Sequence, residues 1–585
     1  MGLNMTHYYT DEKQVQVVIA LLKAHGIRKI IASPGTTNMT FVMSLKSDPH
    51  FKLFSAVDER SAAYMACGLA EECGEPVVIS CTGATASRNY MPGLTEAHYR
   101  KLPVLAITAT RPLSEVGHHT AQVIDRSVFP KDTVVHSVSL PVIKDAEDQW
   151  DCEIKANRAI LALTHRGGGP VHINLPTTYC RSYDTKKLPE CRIIQRIGPD
   201  SGFPALPKGG RVGIFVGSHA VMPAELTSAI DRFCAVYNGA VFCDHTSGYR
   251  GAYRVAFSIV GCQQTFDTSG FYPDVLIHIG EITGDYYLRV SAGQVWRVCE
   301  DGEIRDKFRK LRYVFDMSER RFFDHYTRQS GGGQEDRYLQ ECLACVERMH
   351  AKIPKLPFSN ISIARRLAPH IPPGAVLHFG ILNSLRAWNF FELPAGVAAM
   401  CNVGGFGIDG CVSSLIGASL ADRNKLYFGV IGDLAFFYDM NVLGNRHIGN
   451  NVRILLINNG KGMEFGFSFH PAALFGAEAD AFVAAKGHFG RQSRQLVKNF
   501  AENLGFEYLS AANEQELEEV YERFMTPELT ERPVLLEVFT NDDEESQAMD
   551  LMMSLEKDIK SEVVNLARQA IGAKGIKVLK KLTKG

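Results

Sequence analysis

The sequence predicts an α/β protein of three doubly wound parallel-sheet domains, and three observations carry that prediction. Short apolar runs recur along the chain and alternate with stretches of helical periodicity, the pattern of parallel sheets covered by helices on both faces. Two breaks rich in Pro, Gly and charge divide the 585 residues into three such blocks. The last block holds two apolar strands ending in an acid and an amide, and open α/β sheets bind ligands outside such carboxyl edges.

Taken in order, the first block covers residues 1–184, with strand-like runs at Lys29–Ala32, 76–80 and 104–108. Residues 184–210 read as a linker. The second block, 185–350, has strand-like runs VGIFVG (212–217), AVFC (240–243) and VLIHIG (275–280), and its helical end meets Ser330-Gly331-Gly332-Gly333. The third, 351–550, contains AVLHFG (375–380), the segment 427–464 and PVLLEVF (533–539). Residues 551–585 form a basic tail: from 556 onward eight Lys or Arg stand against three acids, and Ile559, Val563, Leu566 and Ala570 follow helical spacing. A solvated helix with a basic end is the expectation there, and membrane contact is not.

Composition excludes several classes. With 45% apolar and 22% charged residues, and 63 basic against 64 acidic side chains, no domain-wide basic excess points to nucleic acid. No apolar run approaches the ~20 residues of a membrane span. Met1-Gly2 with Thr6 fits a myristoylation pattern and is read as chance. Fourteen scattered Cys, mostly in apolar surroundings, fit reduced thiols of a cytoplasmic protein. Cys342 and Cys345 lie in a helical pattern with no second pair for zinc.

The segment 427–464 carries the most chemistry. An apolar strand ends at Gly432-Asp433, a helix follows, and a second strand ends at Asn458-Asn459-Gly460. Side-by-side strand ends bearing an acid and an amide offer oxygen ligands to a hard cation such as Mg²⁺, usually shared with phosphate. An ordinary buried βαβ unit with a polar strand end fits the same short pattern. In the first block, Glu59 follows an apolar strand and opens an Ala- and Gly-rich helix. A carboxyl at that strand end, with little water around it, would favour its protonated form and exchange a proton with a ring nitrogen. It is equally a first-turn acid favoured by the helix dipole.

The whole order of pieces resembles the thiamine diphosphate (ThDP)-dependent 2-oxo acid decarboxylase and carboligase superfamily, of pyruvate-decarboxylase-like architecture. The resemblance is greatest to the 2-succinyl-5-enolpyruvyl-6-hydroxy-3-cyclohexene-1-carboxylate synthases. It rests on SPG (33–35), DERSAAYMACGLA (58–70), ITATRP (107–112), AQVID (121–125), HSVSLP (136–141), GGPVHINLP (168–176), GFGIDG (405–410) and GDLAFFYDMN (432–441). It implies that the first block binds the pyrimidine of the coenzyme and the third its diphosphate, across two subunits of a homodimer or homotetramer. Asp433, Asn459 and the backbone carbonyl of Lys461 would hold Mg²⁺. Gly432 and Leu434 belong to the opening motif, where Leu434 replaces the usual Gly, and Gly35, Thr82, Asn383 and Ser384 would line the coenzyme. Glu59 would activate the pyrimidine, Gln122 would sit beside the reaction centre, and Ile408 would hold the coenzyme bent. Gln122 as a surface residue and Ile408 as plain core are the simpler alternatives. The implied reaction decarboxylates a small 2-oxo acid and passes the resulting acyl carbanion to an aldehyde, ketone or enone acceptor.

Departures from the resemblance fall where substrates bind. The synthases use several Arg to hold carboxylates, whose planar geometry suits the guanidinium fork. Ser-Pro-Gly-Ser-Arg is replaced here by Ser33-Pro34-Gly35-Thr36-Thr37, and Asn-Arg-Gly by Asn402-Val403-Gly404. Trp388 stands where an Arg follows Asn-Ser, with Arg386 close by, and Arg111 is retained. Arg111, Arg386 and Trp388 are therefore the candidate substrate residues. His118-His119 resembles the pair that moves protons in pyruvate-decarboxylase-type enzymes, or is simply two solvated loop histidines. A plain decarboxylase releasing an aldehyde, and a true menaquinone-pathway synthase, are the alternative activities.

Overall fold

The computed structural model describes residues 8–207, 209–328, 336–487 and 493–556. The glycine break at 330–333, the Met1-Gly2 pattern and the basic tail from 557 lie outside the described residues. Two compact units partition the chain, one comprising Met1–Gly202 with Asp301–Asp316, the other Phe203–Glu300 with Met317–Gly585.

In the first unit six parallel strands lie in the order Lys52–Ser55, Lys29–Ala32, Val77–Cys81, Val104–Thr110, Val171–Pro176, His136–Ser139. The strand period of two sends alternate residues to opposite faces. Ile30, Val78, Leu105 and Ile107 pack with Val15, Val18 and Ile160 of helices Lys13–Ala24 and Ala146–Ala162. Their neighbours Ile31, Val77, Ile79 and Val104 pack on the other side, with Ala62, Ala66 and Leu94 of helices Glu59–Cys73 and Met91–Tyr99. Both faces are dry, which is why the central strands read as continuous apolar runs. Helix Glu59–Cys73 can lie so close to its neighbour because Gly93 carries no Cβ; one built there would overlap Ala63.

The second unit contains two parallel sheets. Strands Arg254–Val255, Gly239–Cys243, Val212–Val216, Val275–Ile279 and Gln294–Cys299 pair in that order. The other sheet runs Ala398–Cys401, Val376–Phe379, Tyr427–Gly432, Val452–Asn458, Val534–Phe539, Glu507–Ala511. The three parallel sheets expected from the sequence are thus present. Part of the stretch read as a linker is ordered as well: Gln195–Ile197 forms a strand paired with residues 313–315 in the first unit.

Counted by appearance, the six strands of the first and last sheets share one order, 2-1-3-4-6-5. The order reverses between their first and third strands, where a crevice opens beyond the strand ends and α/β sheets take ligands. Gly35 and Thr82 follow those two strands in the first sheet; Asn383 and Asp433 follow them in the last.

A buried polar network ties the second unit together. The Asp285 carboxylate accepts from Ser258 Oγ at 2.5 Å, Asn389 Nδ2 at 2.9 Å and the Tyr287 N–H at 2.8 Å. Next to it, His245 Nε2 lies 3.0 Å from the carbonyls of Trp388 and Phe391. Burial, reinforced by the charge of Asp244, pushes Asp285 up to about 6. Between the unfolded value near ~3.9 and that folded value, the native state holds a proton that the unfolded chain has released. Stability therefore falls as pH rises through this window. Asp285→Asn should flatten the slope of melting temperature against pH between about 4 and 6, measured by thermal unfolding across that range; an unchanged slope would contradict the assignment.

Candidate active site

At the carboxyl edge of the last sheet, the register sets Gly432 beside Ile457. Asp433, the next residue, starts helix Asp433–Asp439 and is buried at 4% exposure. Its Oδ2 accepts the Gly460 N–H at 2.6 Å and its Oδ1 the Leu434 N–H at 2.7 Å. Gly460 turns with φ +81°, a region open to glycine at little cost. The two asparagines part company by strand alternation. Asn458 Nδ2 points into the protein and donates to Glu537 Oε1 at 2.7 Å, whereas Asn459 lines a cleft.

That cleft is walled by Asn383, Ser384, Ile408, Gly432, Asp433, Leu434, Asn459, Lys461 and Glu464, among others. Every coenzyme and metal residue expected from the third block meets there. A Cβ on Gly432 would find only Ser384 Oγ, at 4.0 Å, so that wall stays open to a ligand. Ile408 is half-buried, packs on the sheet's core and also faces the cleft. Leu382 holds φ +70°, ψ −123° at the start of helix Asn383–Trp388, a conformation costly for a branched side chain and typical of functional turns.

Two supports were missed in the sequence. Glu545, on helix Asp542–Met552, is buried and hydrogen-bonded by Asn459, by Thr540 Oγ1 at 2.6 Å and by the Asn360 N–H at 3.0 Å. Burial pushes its carboxyl up to about 7 against those bonds. The Asn459 amide oxygen accepts the Lys461 N–H at 3.4 Å, which ties Asn459 to the Lys461 turn. Lys461 Nζ, in turn, lies 3.2 Å from Asp480 and 3.1 Å from Asp542, which Lys486 also bridges. Although burial opposes it, Lys486 and Lys461 together hold Asp542 down to about 2. Neither partner lies near Lys461 in sequence, so no local motif signals them.

In the first unit, the loops after the first and third strands touch. Thr37 Oγ1 and Thr82 Oγ1 are hydrogen-bonded, and the Gly83 N–H donates to Thr37 Oγ1 at 3.2 Å. A Cβ on Gly35 would lie 2.6 Å from Thr82 Cβ. Glu59 is the first residue of its helix, capped by Asp58, whose carboxylate accepts the Ser61 N–H at 2.8 Å. The dry setting expected for Glu59 is not found within the chain: it is half-buried, beside exposed Phe54, Val57, Tyr64 and Met65. Gln122 and His119 have φ of +64° and +56°, and with His118 they are exposed on one loop.

The three substrate candidates are otherwise engaged. Arg111 makes a two-point pair with Glu115, at 2.5 and 3.1 Å, over the Tyr179 ring. Trp388 is buried at 1%, its indole N–H donating to Asn360 Oδ1 at 3.3 Å, so it packs the interior and offers nothing to a substrate. Arg386, also at 1%, pairs with Glu464 Oε1 at 2.7 Å and lies over the Tyr286 ring.

Comparison with known proteins agrees with this geometry. Residues 13–128 match the thiamine pyrophosphate enzyme N-terminal TPP binding domain. The chain is 32% identical to a 2-succinyl-5-enolpyruvyl-6-hydroxy-3-cyclohexene-1-carboxylate synthase of Bacteroides fragilis, covering 92% of this chain and 98% of that protein. The synthase of the same name from Phocaeicola vulgatus is 32% identical over 92% and 97%. That from Desulfotalea psychrophila is 27% identical over 88% and 96%.

Gly35→Ala tests the tight contact of the two loops. Forcing a methyl against Thr82 should cost about 1–3 kcal/mol, read as a lower denaturation midpoint. An unchanged midpoint would show that the loops separate freely.

Proposed function

The chain belongs to the thiamine pyrophosphate-dependent enzymes, and we propose that it decarboxylates a small 2-oxo acid and joins the remaining acyl unit to a carbonyl or enone acceptor. The observation carrying this reading is the convergence of Asp433, Asn459 and the Lys461 turn on one cleft. One carboxylate, one amide oxygen and one backbone carbonyl form a hard oxygen set that leaves positions for phosphate oxygens, as Mg²⁺ requires. The wall at Gly432 and Ser384 is open, which suits a ligand that approaches the backbone closely. Bound there, thiamine diphosphate supplies an acidic ring carbon that adds to 2-oxo acids and an electron sink for the pair left when CO₂ departs.

The protein's own residues bind and orient. Asp433 and Asn459 would hold the metal, with Glu545 supporting the amide and the Lys461 ion cluster supporting the turn that would present its carbonyl. Ile408 shapes the cleft beside Asn383 and Ser384. Glu59 exchanges a proton with the pyrimidine. The exposed apolar surface around Glu59 (Val57 at 81%, Tyr64 at 48%) suits burial against a second copy. That burial would remove the water that Glu59 meets in the single chain, so we propose a homodimer or a higher assembly built from it.

A simple decarboxylase is the second reading, favoured by the two exposed imidazoles of His118 and His119 in the loop of Gln122. The relatives' own reaction is opposed by Thr37, Val403 and Trp388, which stand where the resemblance places arginines.

Incubation with ThDP, Mg²⁺ and a set of 2-oxo acids, with and without aldehyde or enone acceptors, tests the reaction: CO₂ release together with a ligated product is expected, and CO₂ with aldehyde alone selects the second reading. Under that reading His118→Ala and His119→Ala slow aldehyde release, and unchanged product ratios exclude the pair from proton transfer. Glu59→Gln should still take up ThDP in calorimetry while kcat drops about 10²–10⁴-fold. Normal turnover in that variant removes Glu59 from the mechanism. Asp433→Ala should weaken Mg²⁺-dependent ThDP uptake at least about tenfold, and undiminished uptake would place the metal elsewhere.

A further inference from the structure

We propose that the cleft selects a 2-oxo acid whose side chain is uncharged and short, and rejects one carrying a distal carboxylate. The inference rests on the function proposed above and concerns the wall of the cleft that follows the Lys461 turn. Glu464 lines that wall. Its Oε1 accepts from Arg386 Nη1 at 2.7 Å, and with the Asn383 amide turned to the orientation that satisfies both of its ends, Asn383 donates to Oε2 at 3.0 Å and accepts the Glu464 N–H at 2.9 Å. Arg386 itself is enclosed: its Nε donates to the Gly284 carbonyl at 3.2 Å, and the Tyr286 ring centroid lies 4.0 Å from its guanidinium carbon. Nη2 of Arg386 is without a hydrogen-bond partner among the described residues, yet it is buried, so Glu464 rather than the cation meets a ligand.

Charge balance then decides specificity. Among the described residues lining the cleft, Lys461 is the only cation, and Asp480 and Asp542 already neutralise it. Glu464 is matched by Arg386 in the same way, so a second carboxylate on the donor would meet no unmatched cation in the cleft. A desolvated carboxylate with no cation to meet it is unfavourable, and leaving a charge unpaired is a common source of discrimination between ligands. The remaining wall is apolar (Ile381, Ile408, Met463 and Phe465), which suits a short aliphatic chain.

The test is kcat/KM for CO₂ release by the holoenzyme with pyruvate, 2-oxobutanoate and 2-oxoglutarate, with ThDP uptake followed separately by calorimetry. Wild type should favour the uncharged acids by at least about tenfold, equivalent to ~1.4 kcal/mol. Glu464→Gln leaves Arg386 unmatched and should move that ratio about tenfold toward 2-oxoglutarate. The double variant Arg386→Met/Glu464→Met, which removes both charges, should keep the preference for uncharged acids. A wild-type preference for 2-oxoglutarate overturns the inference while leaving the proposed function intact, and needs no variant to fold. A ratio unmoved by Glu464→Gln overturns it too. ThDP uptake without CO₂ release from any 2-oxo acid overturns both.

Discussion

The Asp433 carboxylate, held across two adjacent strand ends, is the constraint on which the rest of the site depends. One oxygen is fixed by the Gly460 N–H beyond strand Val452–Asn458, the other by Leu434 at the start of its own helix. The Gly460 bond needs the parallel register that sets Gly432 beside Ile457, whereas the Leu434 bond is local to the helix start. A slip of one residue would turn Asn459 into the protein and Asn458 toward the cleft, because successive side chains face opposite ways. The apolar core beneath, with Val452, Ile454, Leu456 and Ile431 fully buried, fixes that register and so fixes the chemistry at the edge.

The fold repeats one plan. The first and last sheets share a strand order, and in each two candidate residues follow the first and third strands, Gly35 and Thr82 in one, Asn383 and Asp433 in the other. The two edges are furnished differently. One offers hydroxyls and a close glycine contact at Thr37, Thr82 and Gly35, with Glu59 on the following helix; the other offers oxygen ligands, a turn and matched charges. A coenzyme with an aromatic ring at one end and a diphosphate at the other suits such a division.

Features set by local backbone chemistry were legible in the sequence. Apolar runs gave the strands, and the Gly432-Asp433 and Asn458-Asn459-Gly460 ends gave the ligand edge, because a strand end and its turn are written in consecutive residues. What depends on partners distant in the chain was not legible. Glu545 orients Asn459 from a helix outside any motif, and Asp480 and Asp542 anchor Lys461 from two further segments. Arg386 looked free to bind a carboxylate, but Glu464 had already met it; Trp388 looked available, but its ring lies in the core. Glu59 was expected to be dry, and the single chain leaves it half-exposed, since whatever covers it is not supplied by its own sheet.

Charge in this protein is therefore arranged in closed groups, with Lys461, Lys486, Asp480 and Asp542 in one and Arg386 with Glu464 in another. Under the proposed function, Asp433 is the carboxylate that would serve the metal. The most direct measurement of the account mixes two inactive proteins, Glu59→Gln and Asp433→Ala, and assays 2-oxo acid turnover after subunit exchange. If neighbouring copies supply the two halves of each site, mixed dimers contain one intact site, and about a quarter of wild-type activity should return. No recovery, with exchange demonstrated, would contradict it.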